Sequence, residues 1–206
     1  MLQTLIDFWS QHSLRILDIV GTIVGLWYLW LEYRASINLW IVGIIMPAIY
    51  IFTYLEAKLY ADFGLQIYYL LAAVYGWLSW RFGKQKNNNR EVPVTHIPRK
   101  FLELSMVAFL ILWTLISGIL YRFTDSNVPF YDGFINALSV VALWMLARKY
   151  VDQWLVWMVV DIVSCALYIY KGIPFTAGLY GIYSVIAFFG YRKWLKLMRN
   201  DVIQKE

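Results

Sequence analysis

Seven apolar runs, each long enough to cross a bilayer as a helix, follow one another with little sequence between them. A membrane-spanning helix needs about 17 to 25 residues, and the runs fall at roughly 15–32, 38–55, 64–81, 101–122, 131–147, 151–171 and 175–195. Such a chain has no room for a sizeable soluble domain. Its composition points the same way, with 61% of 206 residues hydrophobic and 15% charged, the balance of a polytopic membrane protein. The expected fold class is an all-α integral membrane protein with seven transmembrane helices. Cys165, the single cysteine, lies inside the sixth run and has no internal disulfide partner, which reads as a buried structural thiol.

Basic residues are retained on the cytoplasmic face, so their distribution orients the chain. The odd-numbered connections and the C-terminal end carry 14 Lys and Arg; the opposite side carries Arg15, Lys58, Arg122 and Lys171. The N-terminus is therefore expected outside and the C-terminus in the cytoplasm. The net charge of +5 is a topology signal, and no basic, aromatic-interleaved patch calls for nucleic acid. Residues 1–14 lack a basic stretch and a small-residue cleavage site, and read as an interfacial segment rather than a signal peptide.

Helix 2 contains Pro47, which removes a backbone donor and is expected to bend it, together with Trp40 and Tyr50. Helix 3 carries a stripe of Asp62, Gln66, Tyr69, Ala73, Gly76 and Trp80 in steps of three and four, which keeps them on one face. The segment 82–100 is a polar, Asn- and Pro-containing cytoplasmic connector, and the helix at 101–122 is almost uniformly apolar. The parts on either side resemble each other. Thr22–Trp27 matches Ser139–Trp144 at an offset of 117, which also sets Trp40 against Trp157, Ile37 against Trp154 and Ile44 against Asp161. With small loop shifts, Tyr50 meets Tyr168, and Tyr69, Gly76 and Trp80 meet Tyr183, Gly190 and Trp194. The expected plan is two parallel three-helix repeats, 15–81 and 131–195, joined by a linker helix at 101–122, with a cytoplasmic tail at 196–206.

The chemistry concentrates on the sixth helix. Trp154, Trp157 and Asp161 fall within roughly 60° of one another on its surface. A carboxylate at the centre of an apolar span costs about 2.5 to 3.5 kcal/mol on insertion scales, which marks it as a functional-site candidate. Indole faces and a carboxylate both attract cations, so this face suits a flat, positively charged molecule. Gln66 and Tyr69 could orient such a ligand, and Trp40, Tyr50 and Tyr168 are further candidate walls, although packing alone accounts for each of these three. No metal cluster, HExxH, GxSxG or phosphate-binding glycine loop is present, so no catalytic residues and no cofactor are expected. Every lysine lies at a helix end or in a loop, which leaves a retinal-type receptor without its Schiff-base residue. A membrane scaffold or receptor without transport activity stays open as an alternative.

Leu59-Tyr-Ala-Asp62, Leu65-Gln66, Tyr75-Gly-Trp-Leu-Ser-Trp80 and Trp154-x-x-Trp157-x-x-x-Asp161 resemble the PnuC family of bacterial vitamin transporters over nearly the whole chain. The resemblance implies a 3+1+3, SWEET-like fold in the bacterial inner membrane. It also implies uptake by facilitated diffusion with trapping by cytoplasmic phosphorylation, and a homotrimer. The family's WxxWxxxN/D motif falls on Trp154, Trp157 and Asp161, and its helix 3 glutamine on Gln66. Nicotinamide riboside members usually carry Asn at the last motif position. Asp161 places the chain nearer the thiamine branch, PnuT, and makes thiamine the expected substrate, with nicotinamide riboside or another cationic vitamin precursor as the alternative. An ionised carboxylate only accepts hydrogen bonds, which suits the thiamine amino group; the carboxamide of nicotinamide needs a donor and an acceptor.

Overall fold

The computed structural model describes residues 23–56, 60–83 and 92–203, and its regular secondary structure there is helical. The expected segment 1–14 and the start of the first helix lie outside the described residues. Helix α1 occupies residues 23–33, followed by α2 (Asn38–Glu56), α3 (Tyr60–Phe82), α4 (Arg99–Phe123), α5 (Pro129–Ala147), α6 (Gln153–Tyr170) and α7 (Pro174–Ile203). Prolines set several starts: Pro98 caps α4 from outside, and Pro129 and Pro174 open α5 and α7, positions where the missing N–H has no helical partner to lose. Among the described helices, α4, α5 and α6, with 25, 19 and 18 residues, are long and apolar enough to cross a membrane; α2 offers a shorter apolar stretch, Asn38–Phe52. The tail expected from residue 196 is helical through Ile203, because Leu, Lys, Met and Arg propagate a helix once no Gly or Pro interrupts it.

Residues 1–74 and 75–206 form two units. In the first, α1, α2 and α3 meet at Gly43, where an added Cβ would lie 3.3 Å from the Tyr28 ring and 3.7 Å from Ala73. In the second, α5 packs on both α4 and α6, and α6 packs on α7. Ser117 of α4 and Gly133 of α5 touch so closely that no side chain fits at Gly133. Lys171, after α6, pairs with Asp132 at the start of α5 at 3.2 Å. At the other end the connector is not free: Thr95 bridges the backbone beside Tyr150, and Asp152 accepts hydrogen bonds from the Ile97 N–H at 2.7 Å and from His96 Nδ1 at 2.9 Å.

The local backbone and burial of α1–α3 recur in α5–α7 at a shift of 114 residues. Ala35 and Lys149, 114 positions apart, are the described non-glycine residues with positive φ, 51° and 56°. They sit in the turns that follow α1 and α5. The same shift pairs Trp30 with Trp144, Arg34 with Arg148, Trp40 with Trp154, Tyr69 with Tyr183, Ala73 with Ala187 and Trp80 with Trp194, without a gap. Trp40 and Trp154 are both fully buried, as are Trp80 and Trp194. This corrects the offset of 117, which set Trp40 against Trp157. A slip of three residues keeps nearly the same helical face toward the core, so apolar periodicity resists it poorly; a left-handed turn residue cannot slip.

Candidate functional site

Helix α6 presents one continuous stripe. Gln153, Trp157, Asp161, Ser164 and Tyr168 follow in steps of four, four, three and four and stay within about 80° of one line. Three of its polar members are buried: Gln153 is 0% exposed, Ser164 1% and Asp161 7%. Neither amide atom of Gln153, nor the Ser164 hydroxyl, nor the Trp157 indole N–H has a hydrogen-bond partner among the described residues. Asp161 likewise has no hydrogen bond or ion pair there, and Tyr183 of α7 lies within electrostatic range of it. Buried polar groups are nearly always satisfied, and a run of exceptions on one face calls for an explanation.

Trp154 has a different setting. It is 1% exposed, and its indole lies against Gly190, where an added Cβ would come within 2.7 Å of the ring. It also meets Trp194 edge-on at 6.0 Å; Trp194 packs on Trp80 at 6.3 Å, and the Lys149 ammonium sits 4.4 Å from the Trp80 centroid. The glycine permits this close packing because α7 has no side chain there. Trp154 is thus a core indole, while the half-buried Trp157 leaves the core. Tyr168 stacks on Tyr180 at 5.3 Å, and Tyr180 meets Tyr183 at 5.9 Å, an aromatic ladder beside Asp161.

The remaining expected residues belong to the first unit. Trp40 is fully buried; Tyr50, Gln66 and Tyr69 are half-buried, with Tyr69 5.7 Å from Tyr68. Sequence reading missed Glu32, a carboxylate only 2% exposed on α1, with Tyr28 in electrostatic range of both it and Tyr69. It also missed Gln153, Ser164 and Tyr180. The signal was available, because the three-and-four stepping that singles out α3 applies equally to the polar residues of α6. Among the described residues no group of three or more His, Cys, Asp or Glu could hold a metal. A cavity of about 450 Å³ lies between α4, α5 and α6, lined by Met106, Phe109, Met145 and Val156 with Asp152 and His96, and it contains none of the expected site residues.

A helical membrane protein with an unsatisfied polar stripe on one apolar helix has the makings of a carrier for a small polar solute. Comparison with known proteins makes the class specific. The family model described as nicotinamide mononucleotide transporter matches residues 15–196. The chain is 26% identical over 213 residues to the nicotinamide riboside transporter PnuC of Escherichia coli (strain K12), covering 92% of this chain and 89% of that protein. It is 30% identical over 189 residues to the riboflavin/roseoflavin transporter RibM of Streptomyces davaonensis, covering 89% and 86%. Its fold is similar to the crystal structure of the vitamin B3 transporter PnuC, with a TM-score of 0.64 and 23% identity over 88% of this chain and 81% of that one. The chain belongs to the nicotinamide mononucleotide transporter family, the PnuC family, and is a membrane transporter rather than an enzyme.

Proposed function

We propose that this protein takes up a vitamin that carries a flat cationic ring, by facilitated diffusion across the bacterial inner membrane, with the N-terminus outside. Asp161 carries the proposal: it is a buried carboxylate with no hydrogen bond or ion pair among the described residues, on a helix where such a group is expensive, and an aromatic ladder flanks it. Nicotinamide riboside is the first candidate, because relatives that bear that substrate's name align over about nine-tenths of the chain. Thiamine is the second, on one specific observation: position 161 is Asp, whose acceptors match the thiamine amino group and whose charge matches either ring.

In this proposal Asp161 neutralises the ring and Trp157 and the Tyr168–Tyr180 pair supply faces; within the first unit, Gln66, Tyr69 and Tyr50 are the residues proposed to contact the solute. Trp154 supports α6 from within its own unit, and Trp40 is its buried counterpart in the first. The gapless match at 114 residues supports two parallel repeats that rock against each other to alternate access. Net accumulation would then rest on cytoplasmic phosphorylation of the vitamin, and the assembly would be a homotrimer. The test is a titration of purified protein with nicotinamide riboside and with thiamine, followed by tryptophan fluorescence. Saturable quenching by one of them is the expected result; no response to either, with no thermal stabilisation, overturns the reading.

A further inference from the structure

Counterparts at the shift of 114 show what α6 has that α2 lacks. Gln153 stands against Leu39, Trp157 against Gly43, Asp161 against Pro47 and Ser164 against Tyr50. The first pair is the most informative, because Leu39 and Gln153 are both 0% exposed. One position therefore has an apolar packing solution in α2, and α6 replaces it with an amide whose oxygen and nitrogen are both unpartnered among the described residues. A buried polar group left unsatisfied keeps its full desolvation penalty. Packing would select Leu at both places.

Gln153 lies eight residues before Asp161 on the same stripe, about 12 Å along the helix at 1.5 Å per residue. Its side chain leans toward the helix start, away from Asp161, so the two cannot hold the same edge of a small ring at once. We propose that Gln153 is a second station on the translocation track, which takes the uncharged donor-and-acceptor edge of the solute after it has left Asp161. A primary amide is both donor and acceptor and complements a carboxamide in two hydrogen bonds. The solute class that fits both stations is a cationic ring that also carries an uncharged donor-and-acceptor edge, such as the carboxamide of nicotinamide riboside. Trp157, midway between them with an indole N–H that has no partner among the described residues and a half-buried ring, provides the surface along which the ring passes. This inference rests on the transport reading above and adds a residue and a sequence of contacts to it.

The experiment compares wild type, Gln153→Leu and Gln153→Met in detergent for binding and in proteoliposomes for uptake, with nicotinamide riboside and thiamine as probes. Both variants are expected to melt no lower than wild type, since each removes two orphaned polar atoms from the interior. Affinity for nicotinamide riboside should stay within about twofold, because Asp161 is untouched, while its maximal uptake rate falls about tenfold. Thiamine uptake should fall as well, because its aminopyrimidine also sets an amino donor beside a ring-nitrogen acceptor. Unchanged nicotinamide riboside uptake in folded variants, or a large loss of melting temperature in both, overturns the proposal and leaves Gln153 a packing residue. Absence of binding and uptake in wild type overturns the transport reading and this one with it.

Discussion

The helices α1–α3 and α5–α7 share a frame and differ in chemistry. Turn conformation, buried tryptophans and small residues coincide at a constant shift of 114, from Trp30 and Trp144 to Trp80 and Trp194. Along the α6 stripe four of the five counterparts in α2 depart: Leu39, Gly43, Pro47 and Tyr50 are replaced by an amide, an indole, a carboxylate and a hydroxyl, while Tyr54 is matched by Tyr168. The conserved frame marks what holds three helices together. The departures mark where one copy has accepted destabilising groups, and a transported ligand is the economical reason for them.

That comparison can be broken most directly at Asp161. Asp161→Asn keeps the shape and removes the charge, and should weaken binding of a cationic vitamin by about 30-fold or more, since a desolvated charge pair is worth several kcal/mol when one partner is lost. Equal affinity by tryptophan fluorescence would show that the charge is not used. Next in size is the frame itself: Gly190→Ala puts a Cβ within 2.7 Å of the Trp154 indole, and overpacking of this kind costs about 1–3 kcal/mol. Its melting temperature should drop clearly, whereas Gly178→Ala, with nothing within 4 Å of the new Cβ, should melt like wild type.

Leu39→Gln copies the α6 solution into α2 without the solute that is proposed to use it. It should destabilise by about 1–2 kcal/mol without raising uptake, and a neutral result in thermal melts would remove the asymmetry argued for Gln153. The smallest effect is expected at Ser164. Ser164→Ala deletes an orphaned buried hydroxyl at no packing cost, so stability should hold or rise slightly while affinity falls about threefold, read by the same titration.

Much of the candidate site was legible from residue order, because an acid amid apolar residues is costly wherever the helix packs, and that cost is visible at Asp161 without coordinates. The register was not. The expected offset of 117 made Trp157 the matched indole and Trp154 the asymmetric one; the structure reverses them, with Trp154 enclosed against Gly190 and Trp157 only half-buried. A three-residue slip is nearly invisible to a period of 3.6, whereas burial and the left-handed turns at Ala35 and Lys149 register it at once. Gln153 is a related case: the three-and-four stepping puts it on the Asp161 face, but only packing shows that it is enclosed.

Sequence alone determined the membrane class, the helical content and the placing of most helices, because each follows from the local energetics of apolar runs, proline starts and one expensive carboxylate. Tertiary structure decided which indole is enclosed and which is half-buried, which polar groups lack partners among the described residues, and which register matches the two sequences. Those properties depend on what lies across from a side chain, and that is set by helices far apart in the chain.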